Sequence, residues 1–214
     1  LSMLLRIIGL APILLLLVLF SSRTFALMHD CGHGSLFRSS FLNRLVGFFL
    51  GAINAIPQYP WSRGHAFHHK HNGNWEKYRG PAAIITFDKY KSLSARSRIL
   101  YAISRHPLML FPGGFFYLII KPRLSLILGL IEFISEAIRA FATGIKERES
   151  GSFQQLFNLV SGYKSSFWYT PGELLDIIAN NLLVLLTWVL MSNWLGLGLF
   201  WSCYSVVMTF SAAI

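Results

Sequence analysis

Residues 42–56 read LNRLVGFFLGAINAI, and the way this run meets a bilayer decides the fold. Its fifteen residues are apolar enough for hydrocarbon but marginal for crossing about 30 Å of it, which takes about 20 helical residues. Pro57 and Pro60 break any helix that would continue from it. The two histidine clusters of the chain stand on either side: His29-Asp30-Cys31-Gly32-His33 before it, His65-Ala66-Phe67-His68-His69-Lys70-His71 after it. A full crossing would leave the clusters on opposite sides of the membrane, whereas an excursion that returns to the same face lets them converge. The reading adopted is an interfacial or re-entrant segment over 42–56.

Composition places the rest of the chain in lipid as well. Of 214 residues, 54% are hydrophobic and 13% charged, where an ordinary soluble domain carries about 25% charged residues. The apolar residues form blocks such as Ile7 to Phe20 and Leu182 to Leu190, which argues against a water-soluble helical core. The first block runs into His29 without a small-residue cleavage site, so it reads as a retained membrane helix over 4–28 and not as a signal peptide. Both ends look truncated, since the chain opens on Leu-Ser-Met and stops inside an apolar run. Cys31 and Cys203, the only cysteines, make no disulfide framework.

Leu174 to Ile214 is apolar except near Ser192 and Asn193, and reads as a hairpin of two spanning helices, 174–192 and 194–214. Residues 108–141 are interrupted by Pro112, Gly113 and Gly114 and then hold Glu132, Glu136 and Arg139, a pattern that suits an interfacial or re-entrant element. A polar linker covers 143–172. The formal charge of +10, from 19 Lys and Arg against 9 Asp and Glu, is concentrated in the middle of the chain and absent from the turn near Asn193. Basic loops mark the cytoplasmic face and its anionic lipid. These residues are not gathered on an aromatic-interleaved soluble module, so no nucleic-acid partner is expected. The fold class is therefore all-α: an integral membrane helical bundle with cytoplasmic and interfacial helices that carry a histidine-rich metal site.

The spacing of four in His29 and His33 puts two imidazoles on one helical face, one turn apart. Taken alone, that pair matches two solvated or capping histidines equally well. His65, His68 and His69 line three imidazoles along a second face, and such density has little structural merit without a metal to use it. Five nitrogen ligands exceed what one tetrahedral zinc accepts and suit redox iron, as two ions with further ligands. Asp30 and His71 either orient a ligand from behind or are solvated surface groups. His106, alone before Pro107, reads as structural or interfacial, and Cys31 as a plain small helix residue.

The stretches HDCGHGSLF (29–37) and WSRGHAFHHKHNGN (61–74) resemble the first two histidine boxes of the membrane fatty acid desaturases, most closely the acyl-lipid delta-12 (omega-6) kind. RHPLMLFPGGFFYLIIKPR (105–123) is similar to a segment those enzymes carry after the second box. The resemblance implies that His29, His33, His65, His68 and His69 are iron ligands in a centre of two Fe ions on the cytoplasmic face, with O2 as oxidant. It also implies an acyl-lipid or acyl-CoA substrate held in a tunnel beneath the metals, and a cis double bond as the product. Electrons would come from ferredoxin or a cytochrome b5. A third box would follow the final hairpin, beyond Ile214, so the 214-residue piece is not expected to act alone.

Hydroxylases, ketolases and acetylenases share these boxes and are the nearest alternatives. A metal-ion transporter would carry its ligands inside the spanning helices, and the blocks 4–28 and 174–214 hold almost none. A membrane anchor with a regulatory histidine-rich loop is a further alternative. A di-haem cytochrome would need histidines facing one another across spanning helices, and they are absent from those blocks.

Overall fold

The computed structural model describes residues 9–74, 76–77, 84–146 and 165–213, and within them the secondary structure is entirely helical. Residues 4–8 of the first expected helix, Arg79 of the basic stretch, 147–164 of the polar linker and Ile214 of the hairpin lie outside them. The helices are α1 (Ala11–Gly32), α2 (Ser40–Ile53), α3 (Gln58–Lys70), α4 (Phe87–Ser92), α5 (Ala95–Ser104), α6 (Leu110–Phe115), α7 (Lys121–Lys146), α8 (Pro171–Leu195) and α9 (Leu197–Ser211).

α1 starts on Pro12 in its first turn and buries one stripe: Leu14, Val18, Ser21, Thr24, Met28 and Cys31. Steps of three and four residues keep that stripe on a single face. Its other face, with Leu16 and Phe20 more than half exposed, is left for lipid. α1 packs along α2 and α9, and α8 packs on α2, α3 and α9. Their shared core is built from Met28, Ala55, Ile56, Leu118, Ile119, Val184 and Met208. Small residues set how near these helices come: a Cβ on Gly47 would lie 2.9 Å from the Gln58 Cδ and 3.0 Å from the Cys31 Cβ.

α2 is capped by Ser39, whose hydroxyl accepts from the Leu42 N–H. It ends in a Schellman turn, in which the Ala55 N–H bonds the Ala52 carbonyl at 3.1 Å and the Ile56 N–H bonds the Gly51 carbonyl at 2.8 Å. Such turns need a left-handed residue just past the helix, normally glycine, and Ala55 fills the place with φ 57°. Pro57 then starts a new direction, and α3 leaves at 99° to α2, the geometry of a broken span or a re-entrant loop.

Three helical runs are long and apolar enough to cross a membrane, Ala11–Gly32, Pro107–Arg139 and Pro171–Leu195, and the bent α2–α3 pair makes up to a fourth. The protein is thus a membrane protein. The run over 107–139 is continuous where the sequence suggests interruption. Pro112 falls near the start of α6, Gly113 and Gly114 stay helical, and the π-helical turn Phe116–Ile120 leads into Pro122 without a break. Gly114 also lets the chain lie against Ala212. Its length and composition are sufficient for a span, whereas the charges at Glu132, Glu136 and Arg139 are those of the interfacial or re-entrant element expected over 108–141. In the hairpin, α8 continues through Ser192 and Asn193, and the turn falls at Gly196, whose φ of 83° is open to glycine.

Candidate metal centre

α1 ends where the first histidine pair stands, and α3 carries the second, so the corner between α2 and α3 decides whether they meet. They do. The Nε2 atoms of His29 and His33 are 3.3 Å apart, those of His29 and His65 2.9 Å, and those of His65 and His69 2.8 Å. The ligand atoms of these four residues all lie within 4.8 Å of one another. A metal–nitrogen distance of about 2.0–2.1 Å sets two ligands of one ion about 3.0 Å apart at a right angle and about 3.4 Å apart at a tetrahedral one. The three close separations fall in or just below that range, so the donor set and these neighbouring pairs fit a transition-metal site.

Two side chains shape the edges of this group. Trp61, one turn before His65, stacks on its ring at 4.7 Å between centroids and 12° between planes. Phe25 meets Trp61 edge-on at 5.5 Å. The Asp30 carboxylate is 3.4 Å from the Nδ1 of His29, the nitrogen turned away from the cluster. A carboxylate there fixes the tautomer that leaves Nε2 free to bind a metal. Burial, followed by the nearby His29, His69, His33 and His68, pushes His65 down to about 4. Burial and the neighbouring His29 and His69 also lower His33, against the opposing pull of Asp30. Both shifts favour the neutral imidazole, the form that binds metal.

Of the five histidines expected to act together, four converge. His68 stands beside them, its ring 6.0 Å from that of His65 and 5.8 Å from that of His69, because a step of three residues turns it away from the face that 65 and 69 share. His71 caps α3 and lies against Phe67 at 4.3 Å. His106 caps the turn over Pro107–Met109, accepting from the Leu108 N–H at 3.3 Å. Cys31 points from α1 toward α2 and is buried away from the imidazoles.

Sequence reading did not single out Trp61, although its position four residues before His65 was a signal. It also did not single out the anchors that hold α3 on α8. Arg63 pairs with Glu173 at 2.8 Å and lies over the Tyr169 ring at 3.7 Å. Glu173 also accepts from the Tyr169 N–H at 2.7 Å. Asp176 accepts from the Tyr59 N–H in the first turn of α3 at 3.1 Å.

Comparison with known proteins identifies the family. The chain matches the family model described as "Fatty acid desaturase" over residues 7–214. It is 34% identical over 100 residues to the fatty acid desaturase of Bacillus subtilis (strain 168), covering 46% of this chain and 28% of that protein. It is 37% identical over 94 residues to the endoplasmic-reticulum omega-3 fatty acid desaturase of Vigna radiata var. radiata, covering 44% and 24%. It is 36% identical over 74 residues to the Delta(12) fatty acid desaturase of Caenorhabditis elegans, covering 35% and 19%. The matches thus span about a quarter of the length of these relatives, and no solved structure matches the chain. With the family model covering nearly the whole chain, the protein belongs to the fatty acid desaturase family.

Proposed function

We propose that this chain forms the part of a membrane acyl desaturase that holds the first two histidine boxes of a di-iron centre. The observation that carries the reading is the convergence of the His29, His33, His65 and His69 ligand atoms within 4.8 Å from two separate helices. In the proposed centre these four hold one ion, and His68, on the neighbouring face of α3, contributes to a second with ligands from elsewhere in the full-length protein. Two iron ions would supply the activation of O2 and the removal of hydrogen from an unactivated methylene. The chain's own residues set up the conditions for this. Asp30 holds the His29 tautomer, Trp61 keeps water from one side of His65, and the α2–α3 corner aims α3 at the end of α1.

The substrate in this reading is an acyl chain on a lipid or on coenzyme A, and the product carries a new cis double bond at the delta-12 (omega-6) position. Ferredoxin or a cytochrome b5 delivers the electrons. The centre faces the cytoplasm, as the basic residues around α3 to α5 indicate, with 42–56 as a re-entrant segment. The test is the fatty acid profile of a yeast host expressing the full-length protein, beside a His65→Ala, His69→Ala variant. A dienoic acid present only with the wild type supports the reading. Hydroxylated products, or unchanged lipids from a well-expressed protein, overturn it.

A further inference from the structure

The corner between α2 and α3 creates a problem that three other helices solve. Turning the chain through the left-handed Ala55 removes the carbonyls of Ala55 and Ile56 from any helix ladder, and both residues are buried, at 1% and 3% exposure. Away from water, an unmet carbonyl is costly. The Arg123 guanidinium NH1 donates to the Ala55 carbonyl at 2.6 Å. The Asn180 side-chain amide donates to the Ile56 carbonyl at 3.0 Å. Asn54, at the end of α2, accepts from the Ser21 hydroxyl at 3.0 Å and donates to the Thr24 hydroxyl at 3.1 Å, both on α1.

Arg123 is itself held in place. Pro122 has no N–H to offer the turn behind it, and the same NH1 bonds the carbonyls of Leu118 and Ile119 in that turn at 3.2 and 3.3 Å. Its guanidinium also lies 5.2 Å from the Trp188 ring on α8. One side chain thus joins the π-helical turn before α7 to the corner, with α8 alongside.

We propose that Arg123 and Asn180 are positioning residues for the metal centre, fixing the angle at which α3 presents His65 and His69 to His29 and His33. The inference rests on the metal reading above. The lever is long: His65 and His69 stand seven and eleven residues past Gln58, about 10–16 Å along a helix. A tilt of 10° at the corner would move their rings by about 2–3 Å, against a tolerance for a working site of about 0.5 Å. The Arg63–Glu173 and Asp176–Tyr59 contacts tie α3 to α8, whereas the corner, through Asn54, ties its direction to α1.

The experiment is titration of Co2+ into the metal-free full-length protein in detergent, read by visible ligand-field absorption, with helicity and thermal unfolding followed in parallel. Wild type should bind, and His65→Ala should lose most of the affinity. Arg123→Met and Asn180→Ala should bind about ten- to hundredfold more weakly, the loss seen when residues that orient metal ligands are removed. Arg123→Lys, which keeps a donor, should recover part of it. Phe200→Ala, which removes a buried ring of α9 and none of the corner's hydrogen bonds, should lower the unfolding temperature without changing the affinity. If Arg123→Met does not accumulate, Asn180→Ala, which removes a single hydrogen bond, decides. Wild-type affinity in the corner variants, or an equal loss in Phe200→Ala, overturns the positioning role alone. A wild type that does not bind Co2+ overturns the metal reading and this inference with it.

Discussion

His29 and His65, 36 residues apart in sequence and on different helices, meet with their Nε2 atoms 2.9 Å apart. Without a metal, that approach amounts to at most one imidazole–imidazole hydrogen bond, one ring donating and the other accepting. Removing either should therefore remove the metal and leave the fold. His29→Ala or His65→Ala in the full-length protein should lose at least half of the bound iron and about a hundredfold or more in desaturation, while His71→Ala, whose ring lies on Phe67, keeps both. Metal analysis of the purified variants checks this.

The Schellman turn predicts opposite effects at two positions four residues apart. Ala55→Gly relieves a left-handed alanine and should stabilise by about 1 kcal/mol. Gly51→Ala would place a Cβ 2.5 Å from the Ile56 carbonyl oxygen, a backbone atom that cannot yield without opening the corner. It should destabilise by about 1–3 kcal/mol, the usual cost of overpacking, and lower metal occupancy. Thermal unfolding in detergent reads both.

Much of this was legible in the sequence because it depends on periodicity. Two imidazoles at i and i+4 share a face whatever the surrounding fold, and blocks of apolar residues demand helices in lipid. That the chain forms a helical membrane bundle follows from those two facts. Pro57 announced a break, but not its angle, because that angle comes from a left-handed alanine with no glycine to signal it and from carbonyl partners 68 and 124 residues away. The helix running through Pro112 and Pro122 was hidden for a related reason: the sequence shows the missing N–H groups, whereas the π-helical turn and Arg123 that accommodate Pro122 appear only in three dimensions. His68 shows the limit of pattern reading on one helix, since three residues and four residues both count as neighbours while only the step of four keeps the ring aimed at α1.

The Arg63–Glu173 pair should prove strongly coupled. Glu173 is 2% exposed, so removing Arg63 leaves a buried carboxylate that still accepts from the Tyr169 N–H but has lost its cation. Arg63→Ala should cost about 2–3 kcal/mol, below the usual 3–5 for a fully buried pair because the arginine is partly exposed. Glu173→Gln, which keeps an acceptor for Tyr169, should cost less. A double-mutant cycle on unfolding temperature measures the coupling.

Asp30→Asn keeps the shape of the side chain and removes the charge that holds the His29 tautomer. Metal affinity should fall by about tenfold, the lower end for such partners, because Asp30 is half exposed and 3.4 Å from the ring. Competition with a chelator of known affinity reads the change.

X-ray absorption at the iron edge of the full-length protein reads the ligands themselves. A centre held by these histidines gives a nearest shell of nitrogen and oxygen with the outer-shell scattering of imidazole rings, both lost in His65→Ala, His69→Ala. Sulfur in the nearest shell, no imidazole signature, or iron that survives in the double variant unchanged would contradict it.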